Sequence, residues 1–283
     1  MFPPAAPAMA PDAPAQLKRP RHGSLWHCCL RLVLALFLTY LCLPVALLLI
    51  GAVGESWTNT LLPTGITGRW FSELIDNTSF RQAFGVSLIV ALACCAVNAA
   101  VGLPLAYALH HRSLAGRGAV ARLVTLLPVA VPALTLGFGY IIVFSSDTLP
   151  WIGSLWLLIA AHSVLTLPYL VQTLLADLRH LDIARLEACA ATLGATPARQ
   201  FFSIALPNIR HSLFSGLVMV SALSIGEFQV SNLIAGFRYR NYPVVLLQAF
   251  YGATGMACAA TVVLLGLAIV ATLASVSAVR QMK

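Results

Sequence analysis

Long stretches without a formal charge constrain this chain more than any other feature of its sequence. Residues 32–54, 82–109, 123–146 and 148–176 contain no Asp, Glu, Lys or Arg, and residues 241–279 form a fifth such stretch. About 20 apolar residues suffice for a helix to cross the hydrocarbon core of a membrane. Only 9% of the residues are charged, against roughly 25% in a soluble domain. The sequence therefore predicts an integral membrane protein and excludes soluble enzymes, disordered proteins and secreted disulfide-rich modules.

The same stretches predict an all-α membrane protein with six transmembrane helices. The fifth span is expected to start near His211 and to be interrupted by Glu227. Residues 241–279 are too long for one span, so they are divided into a short interfacial or re-entrant piece at 242–251 and a sixth span at about 255–277. The Pro- and Ala-rich residues 1–29 are expected to form a disordered cytoplasmic tail. Residues 30–280 then form the transmembrane domain.

The distribution of basic residues predicts the orientation in the membrane. If both termini face the cytoplasm, thirteen of the 17 Lys and Arg residues lie in cytoplasmic segments and four lie outside. Such an excess is typical of cytoplasmic loops. The arginines are spread over four separate loops, which argues against nucleic acid as a partner. The adjacent His110 and His111 are interpreted as solvated members of one basic loop.

Several residue patterns that enzymes and cofactor proteins need are missing from the sequence. The two lysines, Lys18 and Lys283, do not follow a glycine-rich loop, so the nucleotide-binding P-loop pattern is absent. The seven cysteines form no C-x-x-C pair, and no H-E-x-x-H motif occurs. We therefore expect no enzyme activity, metal site or cofactor, and any ATP-driven work requires a partner chain.

The longest predicted cytoplasmic connection, residues 177–210, has the pattern of a helix–turn–helix. Asp182 is a good N-cap for a first helix, and Gly194 is a typical residue to end it. Between them an apolar stripe recurs at helical spacing: Ile183, Leu186, Ala190 and Leu193.

A second helix of this loop is predicted to start at Thr196 and Pro197, because Thr is a good N-cap and Pro suits the first helical position. It is expected to end at Pro207. An apolar surface with arginines at its edges is typical of a docking element for a partner protein. The alternative is a surface helix that lies on its own bundle.

This loop resembles the signature loop of the inner-membrane permeases of binding-protein-dependent ABC importers. The pattern of that family is E-A-A, three residues, G, nine residues, and I-x-L-P. Gly194, followed after nine residues by Ile204, Leu206 and Pro207, fits this spacing. The acidic position of the pattern is Ala188 in this chain. Glu187 stands one residue earlier and could replace the charge if the helix turned slightly.

The resemblance covers roughly residues 30–280 and implies the type I importer fold and a transport mechanism. Two permease chains, identical or different, would form the translocation path within the lipid of the bacterial inner membrane. A periplasmic binding protein would deliver the solute, and each loop would couple to a cytoplasmic ATPase subunit. The residues expected in this coupling are Leu186, Glu187, Ala188, Gly194, Ile204, Leu206 and Pro207. The N-terminal half most resembles the spermidine/putrescine and 2-aminoethylphosphonate permeases.

Glu227 is the only acid within a predicted span, which makes it a candidate functional residue. Ser224 and Ser231 lie three residues before and four after it, so a continuous helix would place all three on one face, with Asn232 beside them. This face is expected to line the translocation path, or else Glu227 caps or pairs with a neighbouring helix. His162 and Asn98 are interpreted mainly as hydrogen-bonded packing residues. The alternative function is a self-sufficient secondary transporter, but no internal repeat supports it.

Overall fold

The computed structural model describes residues 23–56, 63–114, 119, 123 and 130–281. The chain divides into two compact units, residues 1–47 and 48–283. All described residues of the first unit belong to helix α1, Gly23–Val53. Every described side chain from 28 to 47 is exposed. Most of the predicted tail lies outside the described residues, and its part from Gly23 onward is helical.

The described residues of the second unit form helices, one short hairpin and the turns between them. Strand β1 (Gly54–Ser56) pairs antiparallel with strand β2 (Thr64–Ile66), with Gly54 opposite Ile66. In chain order the further elements are α2 (Arg69–Asp76), α3 (Thr78–Leu114), α4 (Ala133–Phe144), α5 (Leu155–His180), α6 (Ile183–Thr192), α7 (Pro197–Gln200), a π-helical turn (Phe201–Ala205), α8 (Leu206–Gly226), α9 (Gln229–Ile234), α10 (Tyr242–Gly252) and α11 (Thr254–Gln281).

Helices α3, α5 and α8 pack against one another and form the centre of this unit. Leu170 and Leu174 of α5 are completely buried there. Two glycines let the neighbouring helices approach α5 closely. A Cβ atom at Gly216 would lie 2.5 Å from Leu170 Cδ1, and one at Gly102 would lie 3.1 Å from Leu167 Cδ1. Small residues at helix contacts are the usual means of close packing between membrane helices.

The short elements at the hairpin are tied to this bundle by aromatic side chains. The indole Nε1 of Trp70 donates to the carbonyl oxygen of Gly54 at 2.7 Å. A Cβ atom at Gly255 would lie only 2.3 Å from Trp70 Cε2, so α11 can pass here only because this residue is glycine. On the other side, Tyr242 packs edge-on against Phe80 at 5.5 Å between ring centroids.

Four described helices are long and apolar enough to cross a membrane: Cys28–Val53, Thr78–His111, Leu155–His180 and Pro197–Gly226. Two shorter apolar helices, Ala133–Phe144 and Thr254–Val270, lie where the third and sixth spans are predicted. Residues 124–129 of the third predicted span lie outside the described part of the chain. The predicted division of residues 241–279 corresponds to two separate helices, α10 and α11. The structure thus establishes four candidate spans, and a count of six stays a prediction.

Candidate functional site

In the segment between α5 and α8, helix α6 (Ile183–Thr192) is followed by a turn and by the short helix α7 (Pro197–Gln200). Gly194 in the turn has φ +82, a left-handed conformation that favours glycine. The hydroxyl of Thr196 accepts from the backbone N–H of Arg199 at 3.4 Å, so it caps the second helix as predicted. Asp182 occupies the N-cap position of α6, but its φ is +48 and its side chain makes no capping hydrogen bond. The expected capping by Asp182 is therefore wrong.

The predicted apolar stripe of α6 is buried at one residue and exposed at others. Ile183 is completely buried, whereas Leu186 is 45% and Leu193 89% exposed. Glu187, which is not part of the predicted stripe, is 3% exposed and faces the bundle. Ala188, at the position where the family pattern has its acid, is exposed. The helix therefore rests on its own bundle with one side and leaves large apolar side chains uncovered on another.

Glu187 joins α6 to the end of α3. The Tyr107 hydroxyl donates to Glu187 Oε1 at 2.7 Å, and His111 Nε2 lies 3.4 Å from Glu187 Oε2. The ring of Phe201 packs edge-on against Tyr107 with 4.9 Å between centroids. His110 is 2% exposed, so its interpretation as a solvated group is wrong. Neither of its ring nitrogens has a hydrogen-bond partner within the described residues.

The second helix of the loop does not end at Pro207 as predicted. It passes through the π-helical turn Phe201–Ala205 and continues as α8 to Gly226. Pro207 lies in the first turn of α8, where its missing N–H is tolerated. Ile204 and Leu206 are partly buried and Pro207 is exposed. The loop and the following span therefore form one uninterrupted helix from 197 to 226.

The fifth predicted span is interrupted at Glu227, which separates α8 from α9. The residue has extended backbone angles, φ −73 and ψ 121. Its carboxylate accepts from the backbone N–H groups of Val230 at 2.9 Å and Ser231 at 3.0 Å. It also accepts from the Ser231 hydroxyl at 2.8 Å. Glu227 therefore caps the start of α9, where N–H groups lack helical partners.

Three of the predicted path residues converge on His162 of α5. Its Nδ1 lies 2.9 Å from the Ser224 hydroxyl and its Nε2 lies 2.8 Å from the Ser231 hydroxyl. The distance from Nε2 to Glu227 Oε2 is 3.6 Å. Ser224 and Ser231 thus meet as expected, but they do so across a helix break and not along one helix face. Asn232 is exposed and lies outside this cluster.

Two further buried polar side chains complete the surroundings of His162. Asn241 Nδ2 donates to the carbonyl oxygen of Glu227 at 2.7 Å and to Ser231 Oγ at 2.8 Å. Thr166 donates to the carbonyl oxygen of His162 at 2.8 Å and accepts from Asn98 Nδ2 at 2.7 Å. Asn241 and Thr166 were not predicted as site residues from the sequence. A polar residue inside an uncharged stretch is the signal that could have indicated both.

Comparisons with known proteins find relatives that are named as permease proteins of transport systems. No family model matches the chain. PhnV of Salmonella typhimurium, whose name assigns it provisionally as the permease of a 2-aminoethylphosphonate transport system, is 26% identical over 213 residues, 75% of this chain and 79% of PhnV. The putrescine transport system permease protein PotI of Escherichia coli is 27% identical over 226 residues, 77% of this chain and 78% of PotI.

The fold is similar to that of a solved transporter. A chain in the crystal structure of a bacterial alginate ABC transporter, in complex with its alginate-bound periplasmic protein, aligns with a TM-score of 0.70. The alignment covers 89% of this chain and 92% of that chain at 18% identity. At this identity the similarity is one of fold.

Proposed function

The chain is a homologue of the permease subunits of ABC importers, which are transport proteins and not enzymes, and on this premise we propose how its residues serve transport. The observation that carries the proposal is the partly docked loop helix α6. One side is held by Ile183 and Glu187, and the other presents exposed leucines. A helix that is anchored and yet uncovered is suited to bind a second protein and to pass its movement on.

The coupling surface consists of the exposed apolar side chains of the loop. Leu186, Leu193 and Phe202 are 45%, 89% and 65% exposed. The segment also contains Arg185 and Arg199, which favour an acidic rim on the partner. A cytoplasmic ABC ATPase subunit would bind here. The proposed surface also includes Ala188, Gly194 and residues 204–207. Glu187 lies on the buried side of α6 and holds this helix against α3.

We assign part of the translocation path to the interrupted helix between Ser224 and Asn232. Asn232 is exposed and would face the path. Ser224 and Ser231 are buried, and the Glu227 side chain is 12% exposed, so these three support the wall. The path would be completed by a second permease chain, identical or different, and membrane lipid would cover the remaining apolar surface.

The full arrangement in the bacterial inner membrane would have six spans with both termini in the cytoplasm. The excess of basic residues in the predicted inner segments supports this orientation. A periplasmic binding protein would deliver a small solute to the opposite side. A polyamine or an aminoalkylphosphonate is the proposed solute, since PotI and PhnV are named for transport of a polyamine and of an aminoalkylphosphonate. The homologues give no support to the alternative of a self-sufficient secondary transporter.

Co-purification with candidate ATPase subunits tests the coupling surface. Leu193→Asp places a charge on a residue that is 89% exposed, so the chain should still fold while the ATPase is lost. Phe237→Asp is the matched control, because Phe237 is 90% exposed and lies outside the loop. Equal retention of the ATPase by both variants would contradict the proposed docking site. Absence of any ATPase from the native chain would contradict the importer function itself.

A further inference from the structure

One imidazole ring connects the two helices on either side of the break at Glu227. Ser224 belongs to the last turn of α8 and Ser231 to α9. His162 comes from a third helix, α5, and contacts each serine through a different ring nitrogen. The ring is therefore placed so that α8 and α9 cannot change their relative orientation without breaking one of these two hydrogen bonds.

The hydrogen-bonding capacity of Ser231 determines where the ring carries a proton. Its hydroxyl hydrogen is donated to the Glu227 carboxylate at 2.8 Å. Towards Asn241 Nδ2 and His162 Nε2, at 2.8 Å each, the oxygen can therefore only accept. Nε2 must then carry a hydrogen. In the neutral ring Nδ1 accepts from the Ser224 hydroxyl. The ring therefore donates to Ser231 and accepts from Ser224.

The short helix α9 depends on contacts of this kind. It has six residues, too few for a helix to be stable alone. On its far side it is fixed to α4 and the following loop. A Cβ atom at Gly137 would lie 2.5 Å from Leu233 Cδ1, and Gly153 N–H donates to the carbonyl oxygen of Ile234 at 2.9 Å. Towards α8, α9 is held by the capping carboxylate of Glu227 and by the ring of His162, which contacts both helices.

We propose that His162 is a positioning residue that fixes α9 relative to α8, with Glu227 as its acidic neighbour and Asn241 as the tie to the segment before α10. The carboxylate of Glu227 is engaged by donors within this cluster and not presented to a solute. The ring is 1% exposed, so water does not compete for its hydrogen bonds. The hydrogen bonds of His162 do not depend on the proposed function. Only the consequence for transport, a wall of the translocation path that moves as one unit, rests on that function.

A distance measurement across the break tests this role. Spin labels are placed at Ser215→Cys on α8 and Asn232→Cys on α9, both exposed positions. The exposed cysteines Cys28, Cys29, Cys42 and Cys189 are replaced by serine. Pulsed EPR on the full chain in lipid nanodiscs then gives the distribution of distances.

His162→Phe keeps a ring of similar size but removes both hydrogen bonds, and we expect the distance distribution to shift and broaden. Ser163→Ala is the matched control, because Ser163 is the next residue of α5, is 6% exposed and contacts only Cys94 Sγ, at 3.5 Å, among the hydrogen bonds described here. We expect its distribution to equal that of the native chain. A native distribution in His162→Phe, in folded protein, would overturn the proposal.

Single-contact variants keep the test decisive if His162→Phe does not fold. Ser224→Ala removes the contact to α8 and leaves the cap of α9 intact, and we expect a broadened distribution from it as well. His162→Gln retains a donor near the position of Nε2 but also loses the contact to Ser224, so its distribution should be at least as broad as that of Ser224→Ala. A native distribution in both variants would equally overturn the proposal. The measurement needs no ATPase, so a failure of the proposed function shows separately, as a native chain that binds no ATPase.

Discussion

The carboxylates of Glu187, which is buried, and of Glu227, which is partly buried, have similar neighbours but different structural settings. Each lies within 4 Å of a histidine, His111 at 3.4 Å and His162 at 3.6 Å. Glu227 accepts from donors one turn further along its own chain, and its histidine is completely buried. Glu187 accepts from Tyr107 of another helix, and the side chain of its histidine is 43% exposed.

The two carboxylates differ in how completely their oxygens are hydrogen-bonded. Both oxygens of Glu227 accept hydrogen bonds. Glu187 Oε2 is buried and has no hydrogen bond within the described residues beyond its approach to His111. Fully hydrogen-bonded buried polar groups hold one arrangement of the chain, whereas a buried oxygen without a donor is destabilising. Glu227 therefore maintains the shape of its own segment, while Glu187 joins two different helices, α6 and α3.

Removal of the Glu227 carboxylate should have the largest effect on stability. Glu227→Ala leaves the N–H groups of Val230 and Ser231 without their acceptor, at a cost of about 1–3 kcal/mol for each buried donor. We expect a lower melting temperature in detergent. Glu227→Gln keeps one acceptor oxygen and should lose less. Equal losses in the two variants would show that capping of α9 is not what Glu227 contributes.

Removal of the Glu187 carboxylate should have a smaller and local effect. Glu187→Ala breaks the hydrogen bond from Tyr107, and hydrogen bonds to charged groups contribute about 1.5–3 kcal/mol. Because α6 would detach from α3, trypsin should cleave faster after the exposed Arg185, as measured by mass spectrometry. Glu227→Gln should leave this rate unchanged. Faster cleavage in both variants would remove the distinction between the two acids.

The smallest expected effect concerns the turn that follows α6. Gly194→Ala meets no atom within 4 Å, so its cost of about 1–2 kcal/mol comes only from the left-handed backbone. Gly85 inside α3 also has free space around it and has no positive φ. Gly85→Ala should therefore stabilise the chain slightly. Thermal unfolding should show a lower melting temperature for Gly194→Ala and a higher one for Gly85→Ala. A change in the same direction for both variants would contradict the backbone strain assigned to position 194.

Four candidate spans and the backbone of the turn at Gly194 could be predicted from local features of the sequence. Uncharged stretches locate helices because lipid tolerates few charges, and this property does not depend on the partners of any residue. Thr196 and Gly194 act within a few residues of their own position. Their roles follow from the backbone geometry that a cap or a left-handed turn requires. The left-handed turn at Gly194 and the cap by Thr196 therefore agree with the structure.

The errors arose where a residue acts through a distant neighbour or through an irregular backbone. Helical periodicity placed Ser224, Glu227 and Ser231 on one face, but the helix is broken at Glu227. The three residues meet only because His162 lies opposite. Pro207 was expected to end a helix that the preceding π-helical turn allows to continue. The sequence alone contains no information on either compensation.

The continuity of the helix from Pro197 to Gly226 has a mechanical consequence. Its 30 residues correspond to a rod about 45 Å long at 1.5 Å per residue. One end carries the apolar surface of the loop, and the other ends at the cluster around His162. Because the helix is continuous, a tilt at the loop end would also displace the end at the cluster around His162.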